Sequence, residues 1–223
     1  MSIIQTDISP IVIDHTHPKY VAKRDSIGKG RWNGAYYYSK EIVKNIIPNV
    51  NTDRSWITVN EAKECRDHSI VFIHNNLHPE HYDWLHVYKD LILVCGVPET
   101  CNKVAHLGKP IYLPLSIDVK YVERFKTAKT KDTAYVGRGM KARQYKFLDN
   151  VDKVENIPRD ELLAKIAEYR NVYAVGRCAI EAKVLDCNIL PYDVRFPDTS
   201  IWKVVDNLDA AKMLQKMLNI IDS

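Results

Sequence analysis

No apolar run in this 223-residue chain approaches the roughly 20 residues needed to span a bilayer. The N-terminal stretch MSIIQTDISP carries Asp7 where a secretory signal would need a basic and then an apolar segment, so a cytoplasmic chain without a transmembrane segment is expected. Cysteine is scarce. The five residues Cys65, Cys95, Cys101, Cys178 and Cys187 form no C-x-x-C pair, a scatter that fits reduced thiols and argues against a disulfide framework or a zinc site. The histidines gather in the first half without an H-E-x-x-H pattern, so no metal site is expected. Neither sign of charge dominates: 32 basic against 28 acidic residues leave a net charge of +4, which suits an anionic ligand but forms no basic stripe that would argue for nucleic acid. Repeats and low-complexity stretches are absent, and 46% hydrophobic residues with 27% charged exclude disorder as the main state.

Short apolar runs alternate with helix-like segments along the whole chain, which predicts α/β units with parallel sheets. The runs are IVIDH (11–15), SWITV (55–59), SIVFIH (69–74), LILVCGV (91–97) and PIYLPL (110–115), then TAYVGR (133–138), VDKVE (151–155), VYAVGR (172–177) and NILPYD (188–193). Helices are expected from about Ala35 to Ile47, stopped by Pro48; from Pro158, with Leu162, Ile166 and Tyr169 on one face; from about Ala179 to Leu185; and from Leu208 to Ile221. In the last, Met213, Leu214, Met217 and Leu218 are expected to face a core. The charged segment 119–132 reads as a linker, giving two Rossmann-like domains, 1–118 and 119–223, with a ligand cleft between them at the C-terminal ends of the strands.

Four places could carry chemistry. DSIGKGRWNG (25–34) puts Gly28 and Gly30 in a loop that can approach a ligand closely; its spacing is not the dinucleotide fingerprint, and a plain surface loop is the alternative. VGRGMKARQ (137–145) follows a strand directly and offers Gly137, Arg138 and Lys141 to a diphosphate; a solvated basic turn is the alternative. In VYAVGRCAIEAKVLDCNILPYD (172–193), Glu181 stands in a small, apolar helix start, where it can accept two ribose hydroxyls or pair with Arg177. Asp14, His15 and His74 fall at predicted strand C-termini, where a two-domain α/β enzyme keeps its reactive groups. Trp32 and the tyrosines at 36–38 could stack on a sugar or pack as a helix face.

Residues 110–195 resemble the GT-B glycosyltransferases. The carriers are the VGR strand end with Lys141 soon after, the linker-like LPLSIDVKYVERF (113–125) with Asp118 and Phe125, and the strand, short helix with an EA pair, and strand around Glu181. The chain departs from the family in length, and Tyr173 stands eight positions before Glu181 where many retaining members carry a first glutamate. The resemblance implies a GT-B-like fold and transfer of a sugar from a nucleotide-sugar donor, expected to be a UDP-sugar, to an acceptor. The donor is a substrate, and no cofactor is implied. Gly137, Arg138, Lys141, Arg177 and Glu181 would bind the donor, and Asp14, His15 and His74 would serve the acceptor. Within enzymes the rival is a nucleotide-sugar epimerase; outside them it is a nucleotide-binding module without turnover. A DNA-base glycosyltransferase has little support from the mild net charge.

Arg138→Ala and Lys141→Ala are each expected to weaken nucleoside diphosphate binding by about tenfold or more while leaving the fold intact, the scale of one charged hydrogen bond. Calorimetry showing unchanged affinity in both would return this turn to the solvated surface.

Overall fold

The computed structural model describes residues 11–13, 34–58, 65–74, 78–137, 144–155 and 157–223. The chain is α/β and divides into two compact units, one containing Ala35–Leu113 with Ala211–Ser223, the other Pro114–Ala210. Among the described residues no helix is long and apolar enough to cross a membrane.

The first unit holds a five-stranded sheet: β1 (Val12–Ile13), β2 (Ser55–Ile57), β3 (Ser69–Ile73), β4 (Ile92–Cys95) and β5 (Lys109–Tyr112). Its strands lie in chain order and every pairing is parallel. All residues of β3 and β4 are buried, as expected for uninterrupted apolar strands covered on both faces. Ile57, Val71, Ile73 and Leu93 pack with Tyr82 and Leu85, which belong to a 3₁₀ segment (Pro79–Val87), and with Val104 of a helix. On the other face Phe72 stacks on Trp56, and Tyr38 meets it edge-on. Tyr38 is therefore core packing, the second of its two expected roles. It belongs to helix α1 (Gly34–Glu41), which continues as a π turn (Ile42–Ile46) and a 3₁₀ turn (Ile47–Asn49) through Pro48. Proline is tolerated there because it falls in the first positions of the new turn, where its missing N–H has no helical partner. Helix α2 (Pro98–Val104) joins β4 to β5.

The second unit holds helix α3 (Val119–Glu123), β6 (Lys131–Val136), β7 (Asp152–Val154), α4 (Arg159–Ala167), β8 (Tyr169–Tyr173), α5 (Arg177–Val184), β9 (Asn188–Leu190) and the start of α6 (Asn207–Ile221). The charged segment 119–132 is built into this unit. Asp118 caps α3 by accepting from the Tyr121 N–H at 2.9 Å, and β6 already begins at Lys131. Lys129 donates to the carbonyls of Ala167 at 2.9 Å and Leu185 at 2.5 Å, satisfying the C-terminal ends of α4 and α5 together. Tyr169, expected on the α4 face, opens β8 instead, and Leu163, Ile166 and Ala167 form the buried stripe of that helix. On α6 the buried stripe is Ala210, Ala211, Leu214 and Leu218, and Met213 is 40% exposed: the two alanines take the positions that the sequence pattern gave to the methionines.

The two sheets differ in winding. The order β1-β2-β3-β4-β5 never reverses, whereas β7-β6-β8-β9 steps one way from β6 to β7 and then returns past β6 to β8. In open parallel sheets a ligand crevice forms outside the strand C-termini at such a reversal. The C-terminal ends of β6 and β8 are therefore the place this topology prepares.

At the opposite, N-terminal edge of the first sheet, a charge network ties strand starts together. Arg54 is 2% exposed and donates to the Asp90 carbonyl at 2.9 Å, the Asp90 carboxylate at 3.1 Å and Asp222 at 2.7 Å. His68 faces Asp53 at 3.0 Å through Nε2 and Asp90 at 2.5 Å through Nδ1. The hydrogen bond to Asp53 raises the His68 pKa; partial burial opposes this, and Asp90 adds to the rise. The bond to His68 in turn lowers Asp53. A raised histidine contributes stability fully below its unfolded pKa, near 6.5, and loses it as pH rises through the higher folded value. Chemical denaturation of the parent is expected to show a decline of under about 1 kcal/mol above neutrality, since these groups are partly exposed, and His68→Ala to flatten it.

Candidate functional site

The reversal between β6 and β8 brings Gly137, Gly176, Arg177 and Glu181 to one edge of the second sheet. Gly137 directly follows β6, and a Cβ there would lie 2.5 Å from the Tyr135 hydroxyl and 2.9 Å from its ring, so only glycine fits beneath the phenol. Gly176 caps α5 with φ 63° and ψ −137°, a backbone conformation nearly closed to other residues. A Cβ at that position would meet no described atom within 4 Å, so the space over the cap is open. The Gly176 carbonyl accepts from Ala179 and Ile180, and the first turn of α5 directs its remaining N–H groups toward the strand ends.

Glu181 is 3% exposed, and two arginines converge on its Oε1: Arg177 Nε at 2.8 Å and Arg159 Nη2 at 3.0 Å. Both arginines occupy the first position of a helix that follows a parallel strand, Arg159 on α4 and Arg177 on α5. Positive charge is disfavoured at a helix N-terminus, so one carboxylate shared by two guanidinium groups stabilises both. Arg159 also lies over the Tyr121 ring at 5.7 Å, and the Tyr121 hydroxyl donates to Asp160. Lys183, further along α5, is bound to the carbonyls of Thr199 and Trp202, both at 2.9 Å, and burial lowers its pKa. Asp193, past β9, is 1% exposed and held by Arg195 at 2.6 and 2.8 Å.

In the first unit, His74 follows β3 at the C-terminal edge. Its Nε2 lies 2.7 Å from the Thr58 carbonyl, which can only accept, so Nε2 carries the proton and Nδ1 the lone pair. The ring stacks on Phe72 and meets Tyr38 edge-on, and its backbone N–H donates to the Tyr82 hydroxyl at 3.0 Å. The histidine is thus held in one tautomer and one orientation.

Of the residues singled out in the sequence, Gly137, Arg177 and Glu181 come together and His74 is at its expected strand end. Asp14, His15, Gly28, Gly30, Trp32, Arg138 and Lys141 lie outside the described residues. Arg159 escaped the sequence reading because nothing in a local pattern pairs it with a glutamate 22 positions later; its one signal was its place directly after Pro158, at a helix start. Compared with protein-family models, curated proteins and solved structures, the chain matches none.

Glu181→Gln removes the charge that two nearly buried guanidinium groups share, so it is expected to lower the stability of the ligand-free protein by about 3 kcal/mol, the usual scale for breaking a buried ion pair. An unchanged or raised melting temperature would mean that the pairing contributes nothing to the fold.

Proposed function

We propose that the chain is a GT-B-like glycosyltransferase whose second unit binds a nucleotide-sugar donor. The observation that carries this reading is the switch point between β6 and β8, bordered by the positive-φ glycine cap at Gly176 and by the Arg159–Glu181–Arg177 cluster at two helix starts. Such an edge suits a diphosphate, which needs donors and positive charge aimed at it when it leaves. Arg177 and the first N–H groups of α5 take the phosphates, together with Arg138 and Lys141 of the basic turn. Glu181 holds Arg177 and Arg159 in place through Oε1, which leaves Oε2 as the oxygen for a ribose hydroxyl.

In the transfer, the bond between the anomeric carbon and the diphosphate oxygen breaks, and a new bond forms from that carbon to the acceptor oxygen. The acceptor's proton goes to a base. His74 suits that role because it stands at the C-terminal end of β3 with its ring held in one orientation by the Thr58 carbonyl, and Asp14 and His15 are the further acceptor-side candidates.

Incubation with nucleotide sugars is the test. The cognate donor is expected to release nucleoside diphosphate slowly with water and faster with an acceptor, and His74→Ala to reduce that release at least about tenfold without weakening donor binding. A chain that binds the donor but never releases product across a broad acceptor panel would instead be a nucleotide-sugar-binding module.

A further inference from the structure

The face of the second sheet opposite the Arg159–Glu181–Arg177 cluster carries an aromatic run. Tyr135 contacts Tyr192 at 5.3 Å between ring centroids, Tyr192 contacts Tyr145 at 5.5 Å, Tyr145 contacts Phe147 at 5.9 Å, and Phe147 contacts Tyr173 at 5.6 Å. The inner end of this run is closed: Tyr135 and Tyr192 are buried with Leu148. The outer end is open, with Phe147 54% exposed beside the half-buried Tyr145 and Tyr173.

Strand register brings a carboxylate to the same face. Tyr135 pairs with Lys153 on one side and Tyr173 on the other, and registered partners in a parallel sheet point the same way. Two residues beyond Lys153, alternation returns to that face at Glu155, just past the C-terminal end of β7. Glu155 Oε2 is shielded from solvent and accepts no hydrogen bond from the described residues. A carboxylate oxygen closed to water and without a donor is unfavourable, and a ligand that supplies an N–H removes the penalty. Burial raises the Tyr135 phenol pKa, and the negative charge of nearby Glu155 adds to the rise.

Resting on the donor reading above, we propose that this face receives the nucleobase of the donor, stacked against the exposed edge of the aromatic run at Phe147, and that Glu155 selects guanine. A carboxylate only accepts hydrogen bonds. Guanine offers it two adjacent donors, the ring N1–H and the exocyclic amino group. Uracil presents a single N–H between two carbonyl oxygens, which a carboxylate repels. Adenine and cytosine each place one amino donor beside a ring acceptor. Glu155 therefore favours a guanosine diphosphate sugar over the UDP-sugar that the family resemblance implies.

Calorimetric titration of the full chain with GDP, UDP and ADP tests this. GDP is expected to bind about tenfold or more tighter than UDP, the discrimination of one good paired contact to a base edge. Glu155→Gln is expected to erase that preference while the ligand-free melting temperature holds or rises, because an unsatisfied charge is removed. Should that variant fail to fold, Glu155→Asp, which keeps the charge but withdraws it by one methylene, is expected to reduce the preference in a folded protein. Phe147→Leu is expected to weaken all three nucleotides alike, since stacking tolerates any base. UDP binding as tight as GDP, or a GDP preference that survives Glu155→Gln, overturns the assignment to guanine and leaves the donor reading standing. Failure of every nucleotide to bind overturns both.

Discussion

Parallel pairing is the constraint on which this structure depends. Among the described residues all seven strand pairings run parallel, and strands so paired cannot be joined by tight turns. Each strand's C-terminal end must therefore release the chain into a crossover that returns to the other edge. Helix starts such as those of α2, α4 and α5 gather at the C-terminal edges as a result, and with them the backbone N–H groups that helices leave unsatisfied. The central strands, covered on both faces, lock this arrangement through apolar burial.

The two edges of the sheets have accordingly been given different work. At the N-terminal edge of the first sheet, three carboxylates, Asp53, Asp90 and Asp222, surround Arg54 and His68, and both His68 nitrogens are engaged. His68 and Asp90 enter their strands with positive φ, 60° and 51°, a local strain that the ion pairs hold in place. The C-terminal edge of the second sheet is built differently. On one face it joins Arg159 and Arg177 to Glu181, and on the other it holds Glu155 Oε2, which accepts no hydrogen bond from the described residues. An oxygen of that kind is what a ligand N–H can complete.

Much of the fold was legible in the sequence because β-strands announce themselves locally. Runs such as IVFI and ILVC are apolar at every position, the pattern of a strand covered on both faces. The glycines at 137 and 176 were legible too, each following a strand, although the reason for Gly137 lies two residues away in the ring of Tyr135. Legibility failed where the period was right but the stripe was wide. The last helix could bury either its methionines or its alanines, and tertiary packing took the alanines. Segment 119–132 read as a linker because its charges are conspicuous; the Asp118 cap is local to it, while the carbonyl partners of Lys129 are brought in from the ends of α4 and α5.

By itself, the sequence determined the α/β class, the approximate strands and helices, and the candidate residues Gly137, Arg177, Glu181 and His74. These follow from periodicity, turn chemistry and residue type, all of which act over a few positions. Only the tertiary structure decided strand order, and with it that the reversal lies in the second sheet between β6 and β8. It alone brought Arg159 to Glu181 and set Glu155 on the face of Tyr135 and Tyr173. Strand order and ion pairing are matters of which distant segments share burial and charge, and no local pattern in the chain encodes that choice.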